Sequence, residues 1–282
     1  SEDRVPGVLA GMFAAGHDRL VGIQGNAVVA TPYTVQAVLE NGKKENRKQF
    51  AAWPVAPALS AFQHFVGNRP FKKLLWEGMP WVFMFQGQND DDVVLVICGD
   101  ISSMFDGVGR EGIVPFRTCR PVGGKLDGRM TVRTDGSVKQ FDSCGNEIPS
   151  QKGVLTVPLD TTSVYLGTDG TAGSGAKLLH AVAEARIDGY SPVAPVLHDA
   201  TTPITAGAVF TAELRNVLNR EISGQLLVSA EGLELAYDEM VKIPPHQIVS
   251  IPLRVRHGSP SAGNAYPFKL RFNAGVDGTS EL

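Results

Sequence analysis

The stretch Trp81–Cys98, WVFMFQGQNDDDVVLVIC, decides the fold of this chain. Two runs of apolar and β-branched residues, Trp81–Gln86 and Val93–Cys98, flank turn residues that begin at Gly87, which is the pattern of an antiparallel hairpin. Val93–Cys98 is apolar at every position. It is therefore predicted to be a central strand that is covered on both faces.

Further strands are predicted on both sides of this hairpin. Phe71–Trp76 precedes it, and Asp135-Gly136 is a turn signal that predicts a tight hairpin between the strands beside it. Together these segments indicate one antiparallel sandwich. Its remaining strands are predicted at Arg129–Arg133, Val138–Asp142, Val154–Pro158 and Ser163–Leu166.

The first 70 residues show a different periodicity. Apolar residues repeat at helical spacing over Val5–Phe13, and Gly16 follows as a stop signal. A short apolar strand is predicted at Arg19–Ile23, and a second helix runs from about Val55 to Val66. Helix, short strand, long loop and helix is the order of an α/β unit.

A second β-rich block begins at Ser191. Apolar and polar residues alternate over Phe210–Arg215, Ile251–Arg256 and Phe268–Phe272, which predicts an immunoglobulin-like sandwich with solvated outer faces. The chain stops at Leu282, so this block is expected to lack its last strand or to have that edge completed by another chain. A basic outer face, either solvated or facing an anionic partner, would be formed by Arg254, Arg256, Lys269 and Arg271.

Composition limits the partners. The chain has 282 residues, is 43% hydrophobic and 20% charged, and carries a formal net charge of −3. Nucleic acid is not expected as a partner, because phosphate binding needs a concentrated basic face. The most basic stretch, Lys43–Lys48, is predicted to be a solvated loop. No apolar run approaches the ~20 residues that span a bilayer, so no membrane span is predicted.

No metal and no cofactor are predicted. The six histidines lack the spacing of metal ligands, and the three cysteines are too far apart for a zinc pattern. Cys98 is predicted to be a thiol of the core. Cys119 and Cys144 would be able to pair in an oxidising compartment, and the sequence leaves this pairing open.

Two polar stretches invite a functional interpretation. Asp90-Asp91-Asp92 offers three carboxylates, but neighbouring residues of a turn point in different directions, so a solvated turn is favoured. Gly170–Lys177 has the glycine-rich context of a phosphate cradle. Because Ala176 separates the last glycine from the lysine, a flexible linker that leads into a helix is favoured.

Several stretches resemble the C-terminal region of clan-A glycoside hydrolases, which are (β/α)8-barrel enzymes with an appended β-sandwich. Asp3–Ile23 resembles the last helix–strand step of such a barrel, and Pro57–Phe62 resembles the opening of its final helix. Trp81–Leu166 is similar to the appended sandwich, most specifically in SVKQFDSCGNEI (137–148) and GVLTVPLDTTSVYLG (153–167). Val193–Phe272 is similar to the immunoglobulin-like modules that follow in some of these proteins.

The resemblance implies that the catalytic carboxylates lie outside this chain. No residue is therefore assigned a catalytic role, and whether the chain itself is an enzyme is left open. Gln24 and Asn26 would lie at the C-terminal end of the last barrel strand, where such enzymes line their cleft. Trp76 and Trp81 would stack on sugar rings or, alternatively, pack between the barrel and the sandwich. These four residues are the candidate carbohydrate contacts.

The prediction is a mainly β fold: an α/β-barrel tail (residues 1–70), an antiparallel β-sandwich (71–170), a linker helix (171–190) and an immunoglobulin-like sandwich (191–282). The expected function is an extracellular or periplasmic accessory part of a glycoside-hydrolase-like protein. A polysaccharide or glycan would be its partner, and the preceding sequence or another chain would complete the barrel. The alternative is a non-catalytic extracellular structural or adhesive protein. The sugar, the linkage and the oligomeric state are not determined by the sequence.

Overall fold

The computed structural model describes residues 5–16, 33–38, 41–49, 55–77, 80–99, 128–160, 162–189, 191–197, 204–258 and 266–282. Within these ranges the protein is mainly β. The elements are α1 (Val5–Ala14), β1 (Tyr33–Val38), β2 (Lys44–Gln49), α2 (Val55–Val66), β3 (Phe71–Trp76), β4 (Trp81–Gln86), β5 (Val93–Cys98), β6 (Arg129–Arg133), β7 (Val138–Phe141), β8 (Glu147–Ile148), β9 (Val154–Pro158), β10 (Ser163–Thr168), α3 (Ser174–Ala183), β11 (Arg186–Asp188), β12 (Val193–Leu197), β13 (Val209–Asn216), β14 (Ile222–Ala230), β15 (Leu233–Ala236), β16 (Met240–Ile243), β17 (Ile248–Gly258), β18 (Phe268–Asn273) and β19 (Thr279–Glu281).

The α/β-barrel tail predicted for residues 1–70 is not found in the described part of that segment. The strands β1 and β2 pair antiparallel, from Tyr33 opposite Gln49 to Val38 opposite Lys44, whereas the strands of such a barrel are parallel. The predicted strand at Arg19–Ile23 lies outside the described residues. Most of Lys43–Lys48 is strand rather than loop. Charged residues replace apolar ones along β2, so the sequence lacks the alternation that marks a strand with one buried face.

The two helices predicted before residue 70 are confirmed. Both cover one face of the six-stranded sheet that contains β3, β4 and β5. α1 approaches the sheet through small residues: Pro6, Gly7 and Ala10 are buried. The N–H of Gly7 donates to Oγ of Ser163 at 3.1 Å. A Cβ at Gly7 would lie 2.9 Å from Sγ of Cys98, so glycine is what allows the helix to sit this close.

The six-stranded sheet has the order β3-β4-β5-β10-β7-β8. All six residues of β5 are buried, which confirms that it is a central strand covered on both faces. Phe83, Phe85, Val94 and Val96 face the helices. The intervening residues Val82, Met84, Val93, Leu95 and Ile97 face the opposite core, as the two-residue period of a strand requires.

The opposite core lies against a three-stranded sheet of order β11-β6-β9. The hairpin predicted across Asp135-Gly136 is wrong, because β6 and β7 do not pair with each other. β6 pairs with β9 and β11, while β7 pairs with β10 and β8. Gly136 has φ +100, and the turn carries the chain from one sheet to the other. A turn signal fixes a change of direction but not which strands pair afterwards.

The second β-rich block is a nearly closed, barrel-like sheet of order β12-β13-β17-β15-β14-β18-β19, with β16 also paired to β14. Ser280 in β19 donates from its hydroxyl to the carbonyl of Val193 in β12, so the two ends of the sheet meet. β19 follows β18 in the chain and pairs with it antiparallel. A mainly β fold built from antiparallel sheets is thus what the chain forms.

One hydrophobic core runs through both β-rich blocks. Leu178 and Val182 of α3 are fully buried in it, so the helix predicted as a linker is packed into the structure. The indole Nε1 of Trp76 donates to Oδ1 of Asn219 at 2.9 Å across the junction. Glu77 forms an ion pair of 2.8 Å with Arg215 beside it. Among the described helices, none is both long and apolar enough to cross a bilayer.

Candidate functional site

The acidic turn between β4 and β5 binds two other parts of the structure and its own strand β4. Asp92 accepts from Nε of Arg69 at 2.7 Å and so ties the turn to the end of α2. Asp90 accepts from Nε2 of Gln86 at 2.8 Å. Asp91 accepts from the N–H of Gly175 at 3.1 Å, in the first turn of α3. The three carboxylates diverge to different partners, so they do not form the converging pair that glycosidic-bond hydrolysis needs.

The glycine-rich segment before α3 is closed by the same contact. A phosphate cradle needs free backbone N–H groups at a helix N-terminus, and the carboxylate of Asp91 already occupies one of them. A Cβ at Gly175 would overlap the carbonyl oxygen of Asp90, so this glycine serves close packing of the helix on the turn. The segment thus holds a carboxylate of the protein itself where a phosphate would bind.

A charged groove of about 390 Å³ lies between α3 and the turn that joins β6 to β7. We call it the α3 groove. Its lining combines side chains of both signs with small polar residues: Arg133, Thr134, Asp135, Ser137, Val138, Lys177, His180, Ala181 and Glu184. Lys177 and Asp135 form an ion pair of 2.7 Å, and their side chains are 55% and 57% exposed.

Hydrogen bonds fix the charge of this ion pair. The Lys177 ammonium and then the hydroxyl and N–H of Ser137 donate to Asp135, and they hold the pKa of its carboxyl well below the usual range. The same bond to Asp135 raises the pKa of Lys177. Asp135 is therefore ionised and Lys177 protonated at neutral pH. A general base or acid works best with a pKa near the operating pH, so this pair is suited to binding rather than to proton transfer.

Only two of the four candidate carbohydrate contacts lie within the described residues. Gln24 and Asn26 lie outside the described residues. Trp76 is fully buried, with no ring face open to a sugar. Trp81 is partly buried and stacks on Phe83, with ring centroids 5.9 Å apart and planes 5° apart. Trp76 packs at the junction of the two β-rich blocks, where its Nε1 donates to Asn219, and not between a barrel and a sandwich.

The four basic residues expected on one outer face are divided between distant strands. Arg254 and Arg256 belong to β17, and Lys269 and Arg271 belong to β18. Two strands, β15 and β14, separate β17 from β18 in the sheet. Both strands also carry ion pairs. Nη1 of Arg256 lies 3.9 Å from Oε1 of Glu234, and Nε of Arg271 lies 3.4 Å from Oε1 of Glu281. All four residues are exposed, as the alternation predicts, but they lie on two separate strands, because alternation assigns a residue to a face and not to a region of that face.

The cysteines and histidines form no metal site within the described ranges, where no group of three or more ligand side chains is found. Cys98 is buried, as predicted for a core thiol. Cys119 lies outside the described residues, so its pairing with Cys144 stays a prediction. Burial raises the pKa of Tyr165, with smaller contributions from Cys144 and Asp142, and keeps the phenol protonated.

The sequence did not point to the α3 groove. The sequence marks Asp135 only as a turn residue, and it places Lys177 one position too late for a phosphate loop. Their positions differ by 42 residues, and neither segment carries a motif that implies the other. An acidic residue directly before a turn glycine and a lysine in the first turn of a helix are both common on protein surfaces.

Comparison with known proteins gives weak structural matches. No protein-family model matches the chain, and no curated protein does. Similar solved structures include an Escherichia coli alpha-2-macroglobulin activated by porcine elastase (10% identity, TM-score 0.23), a red sea bream transglutaminase (11%, 0.26) and a Salmonella alpha-2-macroglobulin reacted with methylamine (11%, 0.23). The matches cover 83%, 89% and 87% of this chain, but only 24%, 40% and 17% of those chains.

These findings overturn the resemblance to clan-A glycoside hydrolases. No protein-family model matches the chain, and the described part of residues 1–70 pairs its strands antiparallel, whereas such a barrel has parallel strands. The motifs that suggested the family, at residues 137–148 and 153–167, form strands and turns of an antiparallel sandwich. Alternating strands with Asp, Asn and Gly at their turns are required by many unrelated sandwiches, so such motifs do not identify one family.

Proposed function

We propose that the chain is a non-catalytic structural or adhesive β-sandwich protein that works outside the cytoplasm. The observation that carries the proposal is the use of its acidic side chains. Asp91, Asp92, Asp135 and Asp277 each hold one element of the fold to another. Carboxylates bound in this way connect elements of the fold, which supports a structural role for them.

The continuous core supports the same proposal. A module that carries load or presents a surface works best when its parts do not move against each other. Here Trp76 and Glu77 of the first block bond to Asn219 and Arg215 of the second, and apolar residues of both blocks belong to one cluster. Cooperative unfolding of both blocks is the expected consequence.

Two measurements on the whole chain test this proposal. Differential scanning calorimetry is expected to give a single unfolding transition, with equal calorimetric and van't Hoff enthalpies. A panel of aryl glycosides is expected to show no turnover, and a glycan array no binding. Turnover would overturn the non-catalytic role, and two well-separated transitions would overturn the rigid module. Glycan binding without turnover would favour an accessory role in carbohydrate recognition instead.

A further inference from the structure

The basic stretch Lys43–Lys48 is the feature of the sequence that neither the sandwich nor the α3 groove accounts for. It begins at the end of the turn of the hairpin β1–β2 and forms most of the second strand. Residues 41–46 are all exposed. The turn is well formed: Gly42 has φ +76, and Oδ1 of Asn41 accepts from the N–H of Lys43 at 3.0 Å. Lys43 and Lys44 are therefore exposed at an ordered hairpin rather than on a loop.

The hairpin lacks a third strand within the described residues. β1 and β2 form a two-stranded sheet and pair with no other described strand. In an antiparallel pair each strand directs the N–H and C=O of alternate residues away from its partner. Half of the backbone groups of β2 are thus oriented to accept a further strand. A two-stranded hairpin is marginally stable by itself, so a third strand would also stabilise it.

Charge decides what kind of strand fits. Lys43–Lys48 contains four cations and one carboxylate, although the whole chain has a net charge of −3. Pairing β2 with the same strand of a second copy would set cations against cations, which is unfavourable. An acidic strand would instead place carboxylates opposite cations, and each such cross-strand pair is favourable.

We propose that the outer edge of β2 binds an acidic, extended peptide segment of a partner protein by β-strand addition. Backbone hydrogen bonds would supply affinity, and the cations of Lys43–Lys48 would select acidic sequences. Among the described strands, β3 is another edge strand that carries adjacent exposed lysines, Lys72 and Lys73. Its pairing with β4 shifts register twice, and such irregularities bend a strand and disturb its edge. β3 therefore provides a matched control. This inference goes beyond the proposed function and does not rest on it.

The probe is a fluorescein-labelled, N-acetylated peptide of alternating Glu and Val, titrated with the whole chain and followed by fluorescence anisotropy. Binding is expected for this peptide and not for a Lys–Val peptide of equal length. The double variant Lys43→Glu/Lys44→Glu is expected to bind the Glu–Val peptide about tenfold more weakly or worse. The control Lys72→Glu/Lys73→Glu changes net charge equally and is expected to alter the dissociation constant by no more than about twofold. Thermal melting confirms that both variants are folded.

A second pair of probes separates strand addition from simple charge attraction. N-methyl groups are placed on alternate residues of the Glu–Val peptide, on the odd residues in one probe and on the even residues in the other. An added strand directs only alternate N–H groups towards the hairpin, so one methylated probe is expected to lose binding and the other to retain it. Equal binding of both probes, equal weakening by both double variants, or no binding of the parent peptide would each overturn the proposal.

Discussion

The carboxylate of Asp91 accepts a hydrogen bond from the backbone N–H of Gly175, 84 residues away, at the first turn of α3. The residue before this helix, Gly173, has no side chain to cap it. A carboxylate from the β4–β5 turn therefore does what an N-cap side chain usually does. It satisfies an unpaired N–H and opposes the positive end of the helix dipole.

Replacing Asp91 is expected to weaken the attachment of α3. Asp91→Ala should lower the free energy of unfolding by about 1 kcal/mol, the usual effect of removing a cap. The control is Asp90→Ala, whose bond to Gln86 is exposed, and it should change the stability by less than half as much. Urea denaturation measures both. Equal effects of the two variants would mean that the capping contact is not important.

The close approach of α3 to the acidic turn predicts that Gly175 does not tolerate a side chain. Gly175→Ala would press a methyl group against the carbonyl of Asp90 and is expected to cost ~2 kcal/mol or more of stability. Gly167→Ala is the control, because its Cβ would lie 3.7 Å from the ring of Phe141, an ordinary contact. Thermal and urea unfolding should show a clear loss for the first variant and a small change for the second.

The ion pair between Arg220 and Asp277 is predicted to stabilise the last turn of the chain. Arg220 donates to Asp277 from both terminal nitrogens, and the Asp277 side chain is only 9% exposed. Arg220→Met leaves this carboxylate unpaired and should cost about 3 kcal/mol. Arg186→Met breaks a pair whose side chains are 65% and 41% exposed, and should cost no more than about 0.5 kcal/mol. Similar losses in urea melts of both variants would contradict the prediction.

The Lys177–Asp135 pair is predicted to give a stability difference that depends on pH. The folded-state pKa of Asp135 lies below its unfolded value, so the contribution of the pair is present above the unfolded pKa and is lost as the pH falls through the folded pKa. Lys177→Met should therefore have a lower free energy of unfolding than the parent protein at neutral pH. This difference in the free energy of unfolding should disappear as the pH falls below about 4.

Urea midpoints measured from neutral to strongly acid pH test whether the stability difference decreases in acid. Carboxyl NMR should show the pKa of Asp135 rising in the variant. Lys242→Met is the control, since this exposed lysine forms no ion pair with a described residue. A gap that widens in acid, or one that the control reproduces, would contradict the prediction.

Much of the secondary structure follows from short-range patterns. The apolar run Val93–Cys98 predicts a buried central strand because neither face has a polar position to expose to water. The helical spacing over Val55–Val66 predicts α2 because an apolar stripe must find a surface to cover. The turn at Asp135-Gly136 was recognised for the same kind of reason, since Gly136 adopts a positive φ.

Partners distant in the chain were not predictable in this way. Asp135-Gly136 joins two sheets rather than two paired strands, and Arg254 and Lys269 lie on well-separated strands of the second block. β2 was mistaken for a loop because its charged residues carry no hydrophobic period. In each case the local sequence fits more than one pairing, and burial of the whole core selects among them.

The sequence by itself determined that the protein is mainly β, with a covered strand at Val93–Cys98 and alternating strands in its C-terminal part. The period of apolar residues fixes which side of an element is buried, and the period is a property of neighbouring residues. Only the tertiary structure decided that Asp91 caps α3, that Lys177 meets Asp135 and that Trp76 lies between the two blocks. Each of these contacts joins residues at least 42 positions apart, and sheet pairing, rather than local preference, brings them together.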